Sequence, residues 1–361
     1  MRMNTQDRLD LINQVGEEVV SQEELKTLLE SGEELIAYDG FEPSGQIHIA
    51  QGLLRAINVN KMIKAGVKFK MWIADWHALT NNKMGGDLNK LKTVAKYFIE
   101  VWKASGMDLK HVEFLWASDM VKDSDYWQLV IRVGMTNKLA RFIRTAEFMG
   151  REESTEKLTA AQIMYPCMQI ADIFKLGAKI TQLGMDQRKV NMLAREIGPQ
   201  LGYWKPVVIS HHMLMGLGKP PSVQADRTTR TVENKMSKSN PDNAIFMTDT
   251  KEDIVRKINK AYCPEGQVEE NPVLEYCKYI LFESFPEIVI ERPEKFGGRV
   301  VLNSFQDLVK IYSDKKLHPQ DLKQAVIIYL DKLLQPVRDH FEKDPEAKKL
   351  LETVKSYQVT R

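Results

Sequence analysis

The 361-residue chain is long enough for two domains with separate cores, and 43% apolar and 28% charged residues are typical of a soluble globular protein. A net charge of +2 excludes a surface that is basic throughout, so a polyanionic partner must bind a local patch. Three widely spaced cysteines argue against a disulfide framework or a zinc site. Without a membrane-length apolar run or a start resembling a signal peptide, the chain is predicted to be cytoplasmic, with no membrane contact.

Residues 1–33 are predicted to form an N-terminal helical appendage. Apolar residues from Leu9 to Val19 follow helical spacing, and Ser21 followed by Glu24 resembles a capping box for a second short helix. We expect this segment to pack on the domain that follows it and to take no part in chemistry.

Short apolar runs alternate with helical patterns over residues 34–247, the predicted catalytic domain. The runs that we interpret as strands are 35–38, 69–74, 112–116, 179–183 and 206–210. Between them, the helix from Leu88 to Trp102 has one apolar face, and the pattern from Tyr126 to Met149 predicts another helix. Strands that alternate with helices predict an α/β fold with a Rossmann-like, doubly wound parallel sheet.

Polar residues gather where the predicted strands end, which is where such sheets bind ligands. Residues 38–42 end the first strand and lead to Gln46–Gly52, which we interpret as the opening of a helix. A helix start favours anions because its amides are unpaired and its dipole is positive there. Asp75-Trp76-His77 follows the second strand and Gly184-Met185-Asp186-Gln187 the fourth.

The loop Lys235-Met236-Ser237-Lys238-Ser239, beyond the fifth strand, is suited to phosphate binding. Lysines supply charge, and hydroxyls and amides supply donors, so a short turn of this composition can surround a polyphosphate. Together with His48 on the same sheet, it predicts a nucleotide clamp that stabilises the charge of a departing pyrophosphate.

A polar stripe within residues 159–176 predicts the wall of a second pocket. Tyr165, Gln169 and Asp172 share one face of a helix whose neighbouring residues are apolar. We expect Tyr38 and Gln187 to close this pocket.

From residue 248 to residue 361 the strand pattern gives way to helical patterns, which predict an all-helical C-terminal domain. His211 and His212 lack carboxylate or cysteine neighbours at ligand spacing, which argues against a metal role for them.

Two motifs carry a resemblance to the class I aminoacyl-tRNA synthetases. His48-Ile49-Ala50-Gln51 is similar to the first signature of that family, His-Ile-Gly-His, and residues 235–239 match the second, Lys-Met-Ser-Lys-Ser, at every position. Over nearly the whole chain, the sequence resembles tyrosyl-tRNA synthetases of the archaeal and eukaryotic type. The segments that carry this similarity are 38–48, 165–172, 184–188, 260–264 and 318–321.

The resemblance implies a tyrosine–tRNA ligase, which activates L-tyrosine with ATP to tyrosyl-adenylate and pyrophosphate and then transfers tyrosine to tRNA(Tyr). It implies ATP with Mg²⁺ and no tightly bound protein metal. It also implies a homodimer, with a helical dimerisation insert near residues 120–160, and an anticodon-binding role for the C-terminal domain.

The resemblance also assigns roles to single residues. Those implied for catalysis are His48, Gln51, Lys235 and Lys238. Those implied for tyrosine binding are Tyr38 and Asp172 at the phenol hydroxyl and Tyr165, Gln169 and Gln187 at the ammonium group. Those implied for ATP binding are Gly40, Glu42, His48, Gln51, Asp186, Lys235, Ser237 and Lys238. His318 and Asp321 would contact anticodon bases.

The first signature departs from the family pattern at two positions. Ala50 replaces glycine and narrows the space against adenine, and Gln51 replaces the second histidine and keeps a hydrogen bond without the charge.

Three alternatives remain open. Against a tryptophanyl-tRNA synthetase, Asp172 and Tyr38 favour a phenol over an indole. Against a non-catalytic RNA-binding paralogue, the loop 235–239 is intact. Against a nucleotidyltransferase that does not act on tRNA, the chain has a helical C-terminal domain.

Overall fold

A computed structural model of the protein describes residues 3–147, 158–220, 235–236 and 240–357. The strands of the main sheet are β1 Glu18–Val20, β2 Ile36–Phe41, β3 Lys68–Ile73, β4 Val112–Trp116, β5 Ile180–Gly184 and β6 Val207–His211. They form a six-stranded sheet in the order β1-β6-β5-β2-β3-β4.

The five predicted strands are confirmed, and all five run parallel. Strand β2 has β3 and β4 on one side and β5 and β6 on the other, which is the 3-2-1-4-5 order of a Rossmann-like sheet. The strand order reverses between β2 and β5, so a ligand crevice is expected outside the carboxyl ends of these two strands.

Ten helices that precede residue 198 connect the strands or lie beside them in the described part of the chain. They are α1 Thr5–Asn13, α2 Gln22–Glu30, α3 Leu53–Lys64, α4 Asp75–Thr80, α5 Leu88–Ala104, α6 Ala117–Met120, α7 Ser124–Gly134, α8 Leu139–Glu147, α9 Ala160–Lys175 and α10 Arg188–Ile197.

Helix α5 shows how the sequence fixes a part of the future site. Asp87 caps the helix by accepting from the amides of Asn89 and Lys90. The predicted apolar face is buried, and at its end Trp102 Nε1 donates to the backbone carbonyl of Gln51 at 2.8 Å. The helix therefore positions the backbone of one signature residue.

Three predictions differ from the structure in detail. The appendage is not wholly helical, because β1 joins the sheet antiparallel to β6; three residues are too few to show strand periodicity. The helix after the first strand begins at Leu53 and not near Gln46, because residues 48–52 form a hydrogen-bonded turn. The helix predicted from Tyr126 to Met149 is divided into α7 and α8, and its last residues lie outside the described part.

The C-terminal part is helical, as predicted, but it also contains one antiparallel ribbon. Its helices are α11 Lys251–Lys260, α12 Pro272–Tyr276, α13 Phe282–Ser284, α14 Phe305–Ser313, α15 Pro319–Lys343 and α16 Pro345–Ser356, with a π-helical turn at Cys277–Leu281. The ribbon pairs β7 Ile288–Ile290 with β8 Val300–Leu302, and each strand is too short to show alternation. One hydrophobic cluster reaches from Leu9 to Val354, so the two predicted domains share a core.

Helices α7 and α8 place large apolar side chains on the surface. Ile131, Met135 and Leu139 are 61%, 79% and 59% exposed. Such a patch is typical of a protein–protein interface. No helix of the described segments is long and apolar enough to cross a membrane.

Candidate active site

A cavity of about 710 Å³ lies at the carboxyl ends of β2 and β5, where the strand order reverses. Its volume is in the range of small-molecule sites. Every described residue that was predicted to bind tyrosine or ATP lines it: Tyr38, Gly40, Glu42, His48, Gln51, Tyr165, Gln169, Asp172, Asp186, Gln187 and Lys235. Ser237 and Lys238 lie outside the described residues.

Asp172 is 1% exposed and accepts from protein donors on both carboxylate oxygens. The hydroxyl of Tyr126 donates to Oδ1 at 3.0 Å, and Trp72 Nε1 donates to Oδ2 at 3.1 Å. His77 Nε2 lies 3.0 Å from the same Oδ2, and although burial opposes its charge, Asp172 raises the pKa of His77. A carboxylate has about four acceptor positions, so Oδ1 retains one for a ligand.

Tyr38 and Gln169 place partnerless polar atoms beside Asp172. The hydroxyl of Tyr38 and Oε1 of Gln169 are buried without a hydrogen-bond partner among the described residues. Burial and the charge of Asp172 raise the pKa of Tyr38 well above its usual range, against an opposing effect of the neighbouring Gln169 side chain, so the hydroxyl stays protonated. Buried polar groups normally have partners, so these atoms point to a polar ligand.

The other side of the same wall is held by two hydrogen-bonded groups. Glu42 Oε1 accepts from the Tyr165 hydroxyl at 2.7 Å and from Asn81 Nδ2 at 2.6 Å. Gln169 Nε2 donates to Gln187 Oε1 at 3.2 Å. The polar stripe of α9 is thus tied to the residues that follow β2 and β5.

The first signature is fixed against the segment that follows the second. His48 forms a β-bridge with Phe246, and the amide of Met247 donates to the carbonyl of Ile47 at 3.0 Å. A Cβ at Gly52 would lie within 3 Å of three side-chain atoms of Met247, so a larger residue at this position would displace that side chain. The turn before α3 therefore depends on Phe246, which lies almost 200 residues after His48 in the chain.

Lys235, the first residue of the second signature, extends into the cavity. Its Nζ lies 3.0 Å from Asp186 Oδ2, and the charge of Asp186 raises the pKa of Lys235. The backbone of Lys235 forms a β-bridge with Met215, and the amide of Met236 donates to the carbonyl of Leu214 at 2.9 Å.

A buried charged network under the cavity was not foreseen from the sequence. Arg55 contacts Asp39 at 2.6 Å, donates to Gln182 at 2.9 Å and lies 3.0 Å from His211 Nε2. Burial raises the pKa of Asp39 to about 7 although Arg55 opposes this, and burial and Arg55 lower the pKa of His211. In the sequence, the one indication of this network was Arg55 itself, an arginine within the apolar pattern of α3.

The donors around Asp172 were also missed. Trp72 and Tyr126 lie 100 and 46 residues away from it in the chain, and neither belongs to a motif. His77 did belong to a predicted strand-end cluster, and that position was a signal for a role in the site.

The described carboxylates of the cavity all have protein partners. Asp39 contacts Arg55, Glu42 accepts from Tyr165, Asp172 accepts from Tyr126 and Trp72, and Asp186 contacts Lys235. Elsewhere, ligand atoms of Glu100, His340 and Asp344 lie within 4.8 Å of one another. His340 Nε2 contacts Glu100 at 2.6 Å and Lys103 lies 3.3 Å from the same carboxylate, so this group is an ion-pair network.

The residues predicted to contact the anticodon lie at the start of α15. His318 caps the helix through Nδ1, and Asp321 lies in its first turn. Arg292, which precedes the turn of the ribbon, donates to the carbonyl of Lys316 at 2.8 Å and so joins the ribbon to this helix start. Phe296, in the ribbon turn, is 59% exposed.

The Rossmann sheet, the cavity at its switch point and the two signatures define a class. Residues 30–335 match the family described as tRNA synthetases class I (W and Y), and the chain belongs to that family.

Full-length relatives identify the branch. The chain is 50% identical to the cytoplasmic tyrosine–tRNA ligase 1 of Arabidopsis thaliana, covering 100% of this chain and 91% of that one. It is 42% identical to the tyrosine–tRNA ligase of Thermococcus sibiricus, covering 99% and 100%. The crystal structure of the tyrosyl-tRNA synthetase of Pyrococcus horikoshii with L-tyrosine superposes with a TM-score of 0.89 at 39% identity, covering 97% and 100%.

The chain is therefore a member of the tyrosine–tRNA ligases and an aminoacyl-tRNA synthetase, as the sequence predicted. Its similarity to tyrosine enzymes over the whole chain decides against the tryptophan alternative, and relatives named as ligases decide against a non-catalytic paralogue.

Proposed function

We propose that the cavity binds L-tyrosine with its phenol hydroxyl between Asp172 and Tyr38. The observation that carries this proposal is the open acceptor position on Asp172 Oδ1 beside the partnerless hydroxyl of Tyr38. A phenol hydroxyl satisfies both, because it donates to the carboxylate and accepts from Tyr38. The ammonium group lies near Tyr165, Gln169 and Gln187.

This arrangement selects a phenol over other aromatic side chains. With phenylalanine bound, the hydroxyl of Tyr38 would stay without a partner and Oδ1 of Asp172 would keep an unused acceptor position. A buried polar group left unsatisfied costs about 1–3 kcal/mol. An indole N–H could donate to Asp172, but an indole offers no acceptor for the hydroxyl of Tyr38.

ATP lies next to the tyrosine, against Gly40, Glu42 and Asp186. His48 and Gln51 contact phosphate and adenosine, and Lys235, Ser237 and Lys238 close over the phosphates. The tyrosine carboxylate attacks the α-phosphorus, the bond to the bridging oxygen breaks, and pyrophosphate leaves with charge that the cationic groups stabilise. Lys235 supports this role because its ammonium group is already held in the cavity by Asp186.

We propose that magnesium enters with ATP. The cavity carboxylates Asp39, Glu42, Asp172 and Asp186 each have a protein partner. Phosphate oxygens and water would be the main ligands of the ion, which suits the way Mg²⁺ accompanies nucleotides.

Amino-acid-dependent exchange of labelled pyrophosphate into ATP tests this proposal. We expect exchange with L-tyrosine and exchange lower by orders of magnitude with L-phenylalanine or L-tryptophan. Exchange driven by tryptophan but not by tyrosine would overturn the assignment of the pocket.

In the second half-reaction, a terminal ribose hydroxyl of tRNA(Tyr) attacks the tyrosyl carbonyl and AMP leaves. We propose that anticodon bases bind where α15 begins, at His318 and Asp321. The exposed ring of Phe296 and the cation of Arg292 nearby support this, because single-stranded bases stack on aromatic side chains and phosphates bind cations.

We further propose that the protein is a cytoplasmic homodimer. The apolar patch of Ile131, Met135 and Leu139 supports burial against a second copy, and the similarity to the cytoplasmic ligase of Arabidopsis supports the location. Met135→Lys should shift the sedimenting species from dimer to monomer; an unchanged dimer would place the interface elsewhere.

A further inference from the structure

The segment that holds Lys235 in place is itself held by the C-terminal domain. Residues 212–215 follow β6, and His212, Met213 and Leu214 line the cavity. The same segment pairs with Lys235 and Met236 through the Met215 bridge and the 2.9 Å hydrogen bond to the carbonyl of Leu214. A shift of residues 212–215 would therefore move the start of the second signature.

Two neighbouring residues of α12 grip this segment. Glu275 accepts from the amide of Met215 at 3.0 Å, and the hydroxyl of Tyr276 donates to the carbonyl of the same residue at 3.1 Å. Tyr276 is fully buried. The amide and the carbonyl of Met215 both form hydrogen bonds with side chains of the C-terminal domain. These two directional bonds restrict the position of the Met215 backbone.

His212 joins the same contact to the N-terminal segment. Its Nε2 lies 3.0 Å from Glu275 Oε2 and its Nδ1 lies 3.0 Å from Glu17 Oε2. The ring also stacks on Tyr279, with centroids 4.3 Å apart. Three separate parts of the chain therefore meet on one imidazole, and none of these groups has a role in the proposed tyrosine or ATP contacts.

We propose that Glu275, together with His212, is a positioning residue for Lys235. Through these two residues, the C-terminal domain fixes the position of the second signature relative to the ATP side of the cavity. Glu275 acts through Met215, and Met215 acts through its β-bridge to Lys235. The inference rests on the proposed function of Lys235 in ATP binding. It predicts that the domain carrying the tRNA contacts also controls the ATP-dependent step.

Steady-state pyrophosphate exchange of the full-length protein separates this role from a general loss of stability. We expect Glu275→Ala to lower kcat/KM for ATP on the order of tenfold, which is the loss of about one charge-assisted hydrogen bond, and to leave the KM for tyrosine within about twofold. Glu275→Gln keeps an acceptor for the amide of Met215 and should restore part of the loss.

Glu100→Gln is the matched control. Glu100 forms a histidine–carboxylate pair with His340, which likewise joins the catalytic part to the C-terminal domain, but neither residue lines the cavity. This variant should leave kcat/KM for ATP unchanged. Equal losses in Glu100→Gln and Glu275→Ala, or a parallel loss in tyrosine KM, would show a merely structural contact and overturn the proposal.

A double-mutant cycle with Lys235→Ala identifies the route of the effect. If Glu275 acts through Lys235, Glu275→Ala should have little further effect on ATP parameters once Lys235 is removed. If Lys235→Ala lowers activity and the two losses multiply, Glu275 does not act through Lys235 and the inference fails alone. If Lys235→Ala has no effect, the proposed function of Lys235 fails, and the inference fails with it.

Discussion

The hydroxyl of Tyr126 donates a 3.0 Å hydrogen bond to Oδ1 of Asp172, and both side chains are almost fully buried. This bond connects α7 to α9 and leaves one acceptor position on the oxygen that faces the proposed phenol. The carboxylate is therefore already oriented in this structure, and under the proposed function the binding of tyrosine would not have to reorganise it.

Removal of that bond should weaken both tyrosine binding and the fold. We expect Tyr126→Phe to raise the KM for tyrosine roughly threefold to tenfold and to cost about 1 kcal/mol of stability. Tyr312→Phe is a suitable control, because it removes another buried tyrosine hydroxyl, one that donates to the carbonyl of Pro264 in the C-terminal domain. If both variants raise the KM equally, Asp172 is not oriented by Tyr126.

The His212 contact predicts a pH dependence of stability. Burial opposes the charge of His212, but hydrogen bonds to Glu17 and Glu275 outweigh it and raise the pKa from 6.5 to about 9. Because the folded pKa is the higher one, this stabilisation is complete below pH 6.5 and is lost as pH rises through 9. The rise corresponds to at most about 3 kcal/mol. The other titratable neighbour, His211, has its pKa lowered and stays neutral in this range.

The measurement is the difference in Tm between wild type and His212→Gln at several pH values. The wild type should be the more stable by several degrees at pH 6.5, and the difference should shrink toward pH 9.5. A difference that stays constant over this range would mean that His212 is not charged in the folded protein.

The double variant His318→Ala with Asp321→Ala should separate the two half-reactions. Both residues lie at the start of α15 and outside the cavity, so pyrophosphate exchange should remain within about twofold of wild type. Aminoacylation of tRNA(Tyr) should fall by roughly tenfold to a hundredfold, as expected for the loss of specific contacts to bases. Equal losses in the two assays would contradict an anticodon role.

Elements with a strong local pattern were predictable from the sequence. The five parallel strands have short apolar runs in the sequence, and the Tyr165, Gln169 and Asp172 stripe follows from helical spacing alone. The described residues that were predicted to bind tyrosine and ATP line one cavity. Those that follow strands do so because strand ends in such a sheet face the same side. Local sequence was sufficient for these features.

Features that depend on distant partners were not predictable. Strand β1 is three residues long and forms only because β6 offers an edge. The pairing of Arg55 in α3 with Asp39 in β2 depends on how the helix packs on the sheet. The contact between His212 and Glu275 joins residues from two domains. His212 therefore has no carboxylate neighbour in the sequence but contacts Glu17 and Glu275 in the folded protein.

The central claim is that Asp172 and Tyr38 together recognise the phenol hydroxyl, and Tyr38→Phe tests it most directly. The hydroxyl has no protein partner among the described residues, so its removal should leave Tm within about 1–2 °C of wild type. The measurement is the ratio of kcat/KM for tyrosine to that for phenylalanine in pyrophosphate exchange. We predict that Tyr38→Phe lowers this ratio about tenfold. An unchanged ratio in a folded variant would contradict the account.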